Sequence, residues 1–355
     1  MLKKTAIVLV NYKDYAKKYL ADCQAGLDAQ DYAGELKEFI VDNESSSESL
    51  AAVKKISPQA EIIINLNNDG FAKGNNDAIR EAMKQGYEHI ILFNLDAVML
   101  KDCVRKMVEA ADSGDSRVGA VQARLMLFDR KEIINSLGNV THFLGFGYTG
   151  GYGDRYNSPD PYYQGGNYEI CYPSGAAVLF KAEILKKIGL FDEEFWMYNE
   201  DQDLGWRIWL AGATCVLAPE AVAYHKYEFS RSIKKYYYLD RNRIMAIIKN
   251  YHWATLAVIL PAFLAMEIGL IFFSLKNGWF YEKIKVYNYF FTLKNWQHLS
   301  RARRETQSLR KAKDREIVKL FSGKIWYQEI GEARLRVANV FFNAYWKFIR
   351  SLLWW

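Results

Sequence analysis

Glu61-Ile-Ile-Ile-Asn-Leu-Asn-Asn-Asp-Gly-Phe-Ala-Lys-Gly-Asn-Asn76 passes from an apolar, β-branched run through a polar, glycine-bearing turn into a helical pattern that continues to Gln85. A short apolar run closed by turn residues reads as a buried strand, and the pattern after it as a helix over 71–85. The same alternation lies on either side. Thr5–Val10, Glu38–Val41 and His89–Phe93 are further strand-like runs, and helical patterns fall near Asp14–Leu27 and Ser47–Ile56. Strand and helix alternating at short spacing predict a parallel α/β sheet. In such sheets ligands bind beyond the carboxyl ends of the strands. Asn11-Tyr12, Asp42-Asn43, Asn67–Gly70 and Asn94–Asp96 are therefore expected to meet at one edge.

The 355 residues are half hydrophobic and a quarter charged, enough for one large domain with an appendage or for two domains. Cys23, Cys103, Cys171 and Cys215 have no metal-like spacing and read as reduced, buried thiols of a cytosolic protein. The apolar run ending at Asn11 is too short for a signal-peptide core, and a first strand is expected instead. Residues 226–355 contain 24 Lys and Arg against 9 Asp and Glu, while residues 1–225 are net acidic. Such asymmetry points to two surfaces with different partners.

Residues 129–173, rich in Gly, Tyr and Asn, read as a long irregular insertion. Gly145–Gly150 matches G-x-G-x-x-G but follows no clear strand and opens no helix, so no dinucleotide site is expected. Order is expected to return over 176–180 and 181–188, and a helix is expected from Glu200 or Asp201 to Ala211. A strand over 214–217 should stop before Pro219. Ala254–Leu275 is strongly apolar, with Pro261 and Glu267 inside it, and is borderline for crossing a bilayer. Arg301–Arg315 is basic and helix-prone. Leu335–Trp355 alternates at helical spacing and carries tryptophans, which suits a membrane interface or the packing of a helical domain.

Phe191-Asp-Glu-Glu-Phe-Trp-Met-Tyr-Asn-Glu-Asp-Gln-Asp-Leu204 places six carboxylates among large aromatics. Carboxylates also favour a helix N-terminus. A general base beside an aromatic, sugar-binding surface accounts for both residue types together.

Val10-Asn-Tyr12, Val41-Asp-Asn43, Asn68–Asn76, Asn94-Leu-Asp96, Ser174-Gly-Ala176, Phe191-Asp-Glu193 and Glu200–Leu204 follow one another in the order of a known family. Over residues 4–245 the chain resembles the family-2 inverting glycosyltransferases of the GT-A fold, and among them the bacterial rhamnosyltransferase-like subgroup. The resemblance implies a GT-A nucleotide-binding domain over 1–245, with a nucleotide-sugar half over about 1–100 and an acceptor half over about 101–245. Its mainly parallel mixed sheet would be flanked by helices. A helical, basic, membrane-associating region is expected over 246–355.

The family pattern also implies site roles. Asn11, Tyr12, Asp42, Asn68, Gly70, Gly74, Asn75, Asn94, Arg241 and Arg243 are expected at the nucleotide donor. Asp42 would accept from the N3–H of uracil or thymine, or else cap the next helix. Gly70 and Gly74 would let backbone approach ribose or phosphate. Asp96 and His225 are expected to hold Mg²⁺ or Mn²⁺, with Asn94 a departure from the family's first metal-motif aspartate. Inversion at an anomeric carbon needs one base on the acceptor side, and Asp201 matches it. Gly175, Trp196, Glu200 and Asp203 are expected around the acceptor.

The partners implied are a nucleotide sugar, a lipid-linked glycan and an anionic membrane, with the enzyme peripheral or monotopic at the cytoplasmic face. Two other readings stay open. A nucleic-acid-binding protein would use the basic region, but no aromatic-plus-basic module is present. A nucleotidyltransferase would need a glycine-rich loop after the first strand, where Asn11-Tyr-Lys-Asp14 stands.

Overall fold

Thr5–Tyr12 forms strand β1, in which Ala6, Ile7, Val8 and Leu9 are all fully buried. A strand buried on both faces reads as a continuous apolar run because helices cover both sides. The computed structural model describes residues 2–156, 168–227, 233, 235–326 and 332–355, except the side chains of 332–334. These residues group into two units, one of 1–139, 149–197 and 213–228, the other of 140–148, 198–212 and 229–355. Residues 198–212 and 229–245, expected within a first domain over 1–245, group with the second unit.

The first unit is built on one mixed sheet. Leu36–Asn43 (β2), Glu61–Asn65 (β3) and His89–Phe93 (β4) join β1 in the parallel order β3-β2-β1-β4. Ala97–Met99 (β5), Val118–Leu127 (β6) and Ile134–Ser136 (β7) come next, followed by two short strands off this sheet, Asn139–Thr141 (β8) and Gly147–Thr149 (β9). Tyr168–Glu169 (β10), Ala177–Lys181 (β11) and Thr214–His225 (β12) complete the set. The sheet continues beyond β4 through β11, β6, β12 and β10, and β11 runs antiparallel to both β4 and β6. The chain runs outward from β1 through β2 to β3 and then returns to β4 on the other side of β1. The crevice between β1 and β4 is therefore the switch point of this sheet.

Helices Ala21–Asp28 (α1), Ser47–Ile56 (α2), Gly70–Lys84 (α3), Cys103–Ala111 (α4) and Ala182–Ile188 (α5) accompany the strands. One apolar cluster holds this unit, including Ile7, Leu9, Ile40, Ile91, Val104 and Leu179. Helix α2 starts sharply because Ser46 and Ser49 form a reciprocal capping box.

Three sequence expectations change here. Residues 129–173 are not one irregular insertion, since β7 to β10 lie within them; residues 157–167 fall outside the described residues. The strand expected to stop before Pro219 runs on to His225, and its register against β6 slips between Ala218 and Val222. A bulge there tolerates a residue that lacks an N–H donor. The basic helix expected over 301–315 instead runs over Leu293–Ser308.

The second unit is helical apart from most of the β8–β9 pair. It comprises Glu200–Leu210 (α6), Lys235–Asn250 (α7), Trp253–Lys276 (α8), Phe280–Phe291 (α9), Leu293–Ser308 (α10), Asp314–Ile317 (α11) and Glu332–Leu352 (α12). Its interior contains charge. Lys283 donates to Asp240 and Glu267 at 2.6 Å each, Arg243 pairs with Asp240 and Glu267, and Tyr287 donates to Glu267 at 3.0 Å. Burial works to raise the Glu267 pKa, but Arg243 and Lys283 outweigh it and hold the carboxyl below its usual range. Lys235, Arg241, Arg243, Lys249, Lys283 and Arg303 are all buried. The surplus of basic residues in this part of the chain is therefore not all surface charge.

Glu267→Leu should leave Arg243 and Lys283 sharing Asp240 alone. Breaking a buried pair costs about 3–5 kcal/mol. Urea unfolding of the full chain should show a loss of that order, and an unchanged midpoint would count against the cluster as a structural tie.

Candidate active site

Parallel register sets Asn11 beside Asp42 and Tyr12 beside Asn43 at the carboxyl ends of β1 and β2. Asn11 is fully buried; its Nδ2 donates to Asp42 Oδ1 at 2.6 Å and its Oδ1 accepts from the Ala16 N–H at 2.7 Å. Asp42 is also fully buried, and its Oδ2 accepts from Ser45 Oγ at 2.5 Å and Ser49 Oγ at 2.8 Å. The carboxylate expected to read a pyrimidine is thus turned inward and held by three protein donors. It does not cap α2 either, because Ser46 does. Tyr12 remains half-buried, with Lys13 over its ring.

The two glycines expected to admit ribose or phosphate admit protein groups instead. At Gly70, φ is +82°, and a Cβ would lie 2.5 Å from the Trp196 indole and carbonyl oxygen. At Gly74 a Cβ would lie 2.9 Å from Asn43 Nδ2. Asn43 in turn donates to the Gly70 carbonyl at 3.0 Å, which ties β2 to the start of α3. Asn68 Oδ1 accepts from the Gly70 N–H, and Asn75 Nδ2 donates to the Phe71 carbonyl. A Cβ at Gly175 would lie 3.2 Å from the Phe71 ring, so the room expected for an acceptor is taken up by that ring. Trp196 is half-buried, holds φ at +60°, and donates from Nε1 toward the Asn68 carbonyl. A positive φ at a tryptophan is uncommon and marks a turn fixed by its surroundings.

Asp96 and His225 meet where β5 pairs with the end of β12. His225 Nε2 lies 3.1 Å from Asp96 Oδ1, and His225 Nδ1 lies 2.9 Å from Asn135 Oδ1. In the tautomer that donates from Nδ1 to Asn135, Nε2 turns a lone pair toward the carboxylate. Two acceptors facing each other fit a shared cation, and an oriented imidazole beside one carboxylate is a donor set for a divalent metal. Asp96 and His225 are the pair that could hold it. Among the described residues no cluster of three or more His, Cys, Asp or Glu has that potential. Asn94 is half-buried at the same turn, and its backbone N–H donates to the Ala176 carbonyl.

In the second unit α6 opens with Glu200, Asp201 and Asp203 in its first turn, where the helix dipole favours negative charge. Tyr198 and Asn199 before it both have positive φ, at 70° and 62°. Asp201 is part-exposed and its Oδ1 accepts from the Gln202 N–H at 2.8 Å. Glu200 is buried and its Oε2 has no hydrogen-bond partner. Burial, and then the Asp201 charge, push its carboxyl well above the usual range.

Asp203 does not face an acceptor. It is fully buried and accepts from Arg207 Nε at 2.9 Å, Lys249 Nζ at 3.0 Å and Asn250 Nδ2 at 2.9 Å. Arg243, expected at a diphosphate, is bound instead into the cluster with Asp240 and Glu267. Arg241 is buried among the rings of Tyr237, Tyr238 and Tyr289, each 5.0 to 5.3 Å from its guanidinium. Asn135 and Lys249 were missed. Asn135 lay in the stretch read as irregular, and Lys249 gave no motif signal.

Two outcomes follow from these carboxylates. Glu200 has a raised folded pKa, so its favourable contribution is complete below the unfolded value of about 4.3 and is lost as pH rises through the folded value. Glu200→Gln should therefore be more stable than the parent at pH 7–8, with the gap closing below about pH 4. Denaturant titrations over a pH series measure this. Asp203→Asn leaves Arg207 and Lys249 without their shared anion, and should lower unfolding stability by about 3–5 kcal/mol.

Residues 6–189 match the family model described as Glycosyl transferase family 2, a little over half of the chain. A curated N-acetylglucosaminyltransferase of Bradyrhizobium elkanii is 32% identical over 117 residues, covering 32% of this chain and 62% of the relative. The crystal structure of S. aureus TarS is similar with a TM-score of 0.51 at 17% identity, over 98% of this chain and 55% of that one. GalNAc-T7 with UDP, GalNAc and Mn²⁺ gives a TM-score of 0.50 at 14% identity, over 70% of this chain and 48% of that one. The solved structures speak for the fold alone, the mixed sheet of the GT-A type. The chain spans less than two thirds of the length of these relatives, and the family match, on a sheet whose polar residues gather at its carboxyl edge, shows that it belongs to glycosyl transferase family 2.

Proposed function

We propose that the chain is an inverting glycosyltransferase that moves a hexosyl group from a UDP- or dTDP-sugar to a hydroxyl of a lipid-linked glycan. Its place would be the cytoplasmic face of the cell membrane, in cell-surface polysaccharide synthesis. The observation that carries the reading is the Asp96–His225 pair, 3.1 Å apart beside the strand ends of a family-2 sheet. Asp96 and His225 would hold Mg²⁺ or Mn²⁺, which would supply positive charge to the departing diphosphate. GalNAc-T7, similar in fold, was crystallised with UDP and Mn²⁺. Rhamnose, from the subgroup likeness, and N-acetylglucosamine, from the curated relative, are the first sugars to test.

Within this reading Asp201 is the base. Its carboxylate takes the acceptor proton as the acceptor oxygen bonds to C1, and the bond from C1 to the diphosphate oxygen breaks on the opposite side. Part-exposure and a place at the helix N-terminus suit a carboxylate that must stay charged. Glu200 is buried and favours its neutral form, which makes it a poor proton acceptor. Asp203 is held by two cations. Asp42 and Asn11 support the donor floor from beneath, and Tyr12, Asn68 and Asn94 are the strand-end groups left to touch the nucleotide. Arg241 would act, if at all, through its tyrosine cage.

A panel of nucleotide sugars, assayed for metal-dependent release of nucleoside diphosphate, tests the whole reading. Asp201→Asn should lower turnover by about 10²–10⁴-fold with donor affinity nearly unchanged. Near-normal turnover with a matched acceptor would show that the base is another residue. Asp96→Ala should abolish the metal-dependent part of UDP or dTDP binding, read by calorimetry with and without Mn²⁺.

A further inference from the structure

Helix α8 has its polarity reversed. Its buried side carries Thr255, Glu267 and Ser274 beside Ile259, Ala262 and Leu270. Its exposed side carries Trp253, Leu260, Leu264, Ile268, Phe272 and Leu275, each between 49% and 68% exposed. These six recur three, four or seven residues apart, so they form one continuous apolar stripe along the helix. A water-soluble helix shows the opposite arrangement. Contiguous exposed apolar surface of this length marks an interaction site.

The chemistry of the surroundings selects the partner. Helix α12 packs against α8 and carries its own exposed stripe of Val337, Phe341, Phe348 and Leu352. On a helix of 3.6 residues per turn, exposed Arg336 and Lys347 lie about 80–100° to one side of that stripe, and Arg350 lies farther round, next to the packed face of Asn339 and Trp346. Lys347 and Arg350 also line a groove of 280 Å³ with Ser322, Lys324 and Asn343. An apolar stripe with cations to one side and exposed tryptophans gathered at one end, where Trp355 meets Thr255, matches the boundary between lipid headgroups and acyl chains. Trp253 and Trp354 are both exposed.

The tethering of α8 sets its orientation. With 24 residues at about 1.5 Å each it is long enough to cross a bilayer. Yet it is tied to the rest of the unit at its start and near its middle. Thr255 at one end donates to Asp314 at 2.5 Å and accepts from Trp355 Nε1 at 2.8 Å. Tyr345 donates to the Val258 carbonyl at 2.5 Å. Glu267 is held by Arg243 and Lys283. Crossing would carry that ion cluster into hydrocarbon or strip Glu267 of its partners, and both are costly.

We propose that α8 lies in the plane of one leaflet of an anionic bilayer, apolar stripe inward, with the stripe of α12 beside it and the Arg336–Lys347 flank at the lipid phosphates. This rests on the membrane-attached reading above and adds the surface and its orientation. The four native cysteines are buried, so a single cysteine introduced on the stripe can be labelled selectively. Leu260→Cys, Ile268→Cys and Leu275→Cys in the full chain would each carry an environment-sensitive fluorophore. The vesicles would be phosphatidylcholine with phosphatidylglycerol, doped with quenchers at two depths.

An in-plane helix gives the same shallow depth at all three positions. A gradient, with Ile268 deepest, would mean crossing and overturn the proposal. Vesicle flotation with all three labels still in water would place attachment elsewhere, overturning this surface while leaving the membrane-attached reading intact. Labels shielded without lipid, with a doubled mass in light scattering, would make a second copy the occupant and overturn it too. Leu264→Glu with Ile268→Glu should lower vesicle binding at least about tenfold. Donor hydrolysis should stay unchanged in that variant, which separates loss of the surface from loss of the fold or of the enzyme.

Discussion

A strand buried on both faces can keep polar side chains only at its ends, and that constraint organises the first unit. Ala6–Leu9 of β1 and Ile90–Leu92 of β4 are fully buried, so hydrogen-bonding side chains are pushed to Asn11, Asp42, Asn43 and Asn94. Parallel pairing then aligns those ends, because adjacent strands run in the same direction and finish at one edge. Asn11, Asp42 and Asn43 are buried and tied to one another, to neighbouring side chains or to backbone, as burial without a partner would be costly. Asn43 bridges Asn65 and the Gly70 carbonyl, while Asp42 gathers Asn11, Ser45 and Ser49. The edge is therefore a rigid floor, on which Tyr12, Asn94 and Asp96 are the more open groups.

The second unit solves a different problem. Its interior holds two ionic clusters, Asp203 with Arg207 and Lys249, and Glu267 with Arg243 and Lys283. Such clusters contribute little net stability compared with apolar packing, but they make displacement of any one member expensive. They tie α6 to α7, and α7 to α8 and α9. With polar groups turned inward on α8, its apolar residues face outward, and the same ties that order the helix keep it from turning over.

The strand–helix order was legible in the sequence because it depends on local periodicity and turn chemistry. β1 to β4, α2, α3 and α6 fall within a few residues of where Thr5–Val10, Glu61–Leu66 and their neighbours predicted them. The family was legible for a related reason: its motifs are short and sit at strand ends, so they survive as contiguous words. The Asp96–His225 pairing was legible only as two positions. Their contact needs β5 to run antiparallel to β12, and no local pattern encodes that.

Which charges are structural was not legible. Asp201 and Asp203 stand two residues apart in one acidic run, yet one is part-exposed and the other fully buried. A helix turns about 100° per residue, so positions i and i+2 face different surroundings. Arg243, Glu267 and Lys283 are 24 and 16 residues apart in sequence and become one ion cluster only when α7, α8 and α9 pack. Composition alone determined that residues 226–355 are basic and that 254–275 are apolar. Only tertiary structure decided which cations are cancelled inside and which side of α8 is left bare, because burial is a property of packing and not of the residue.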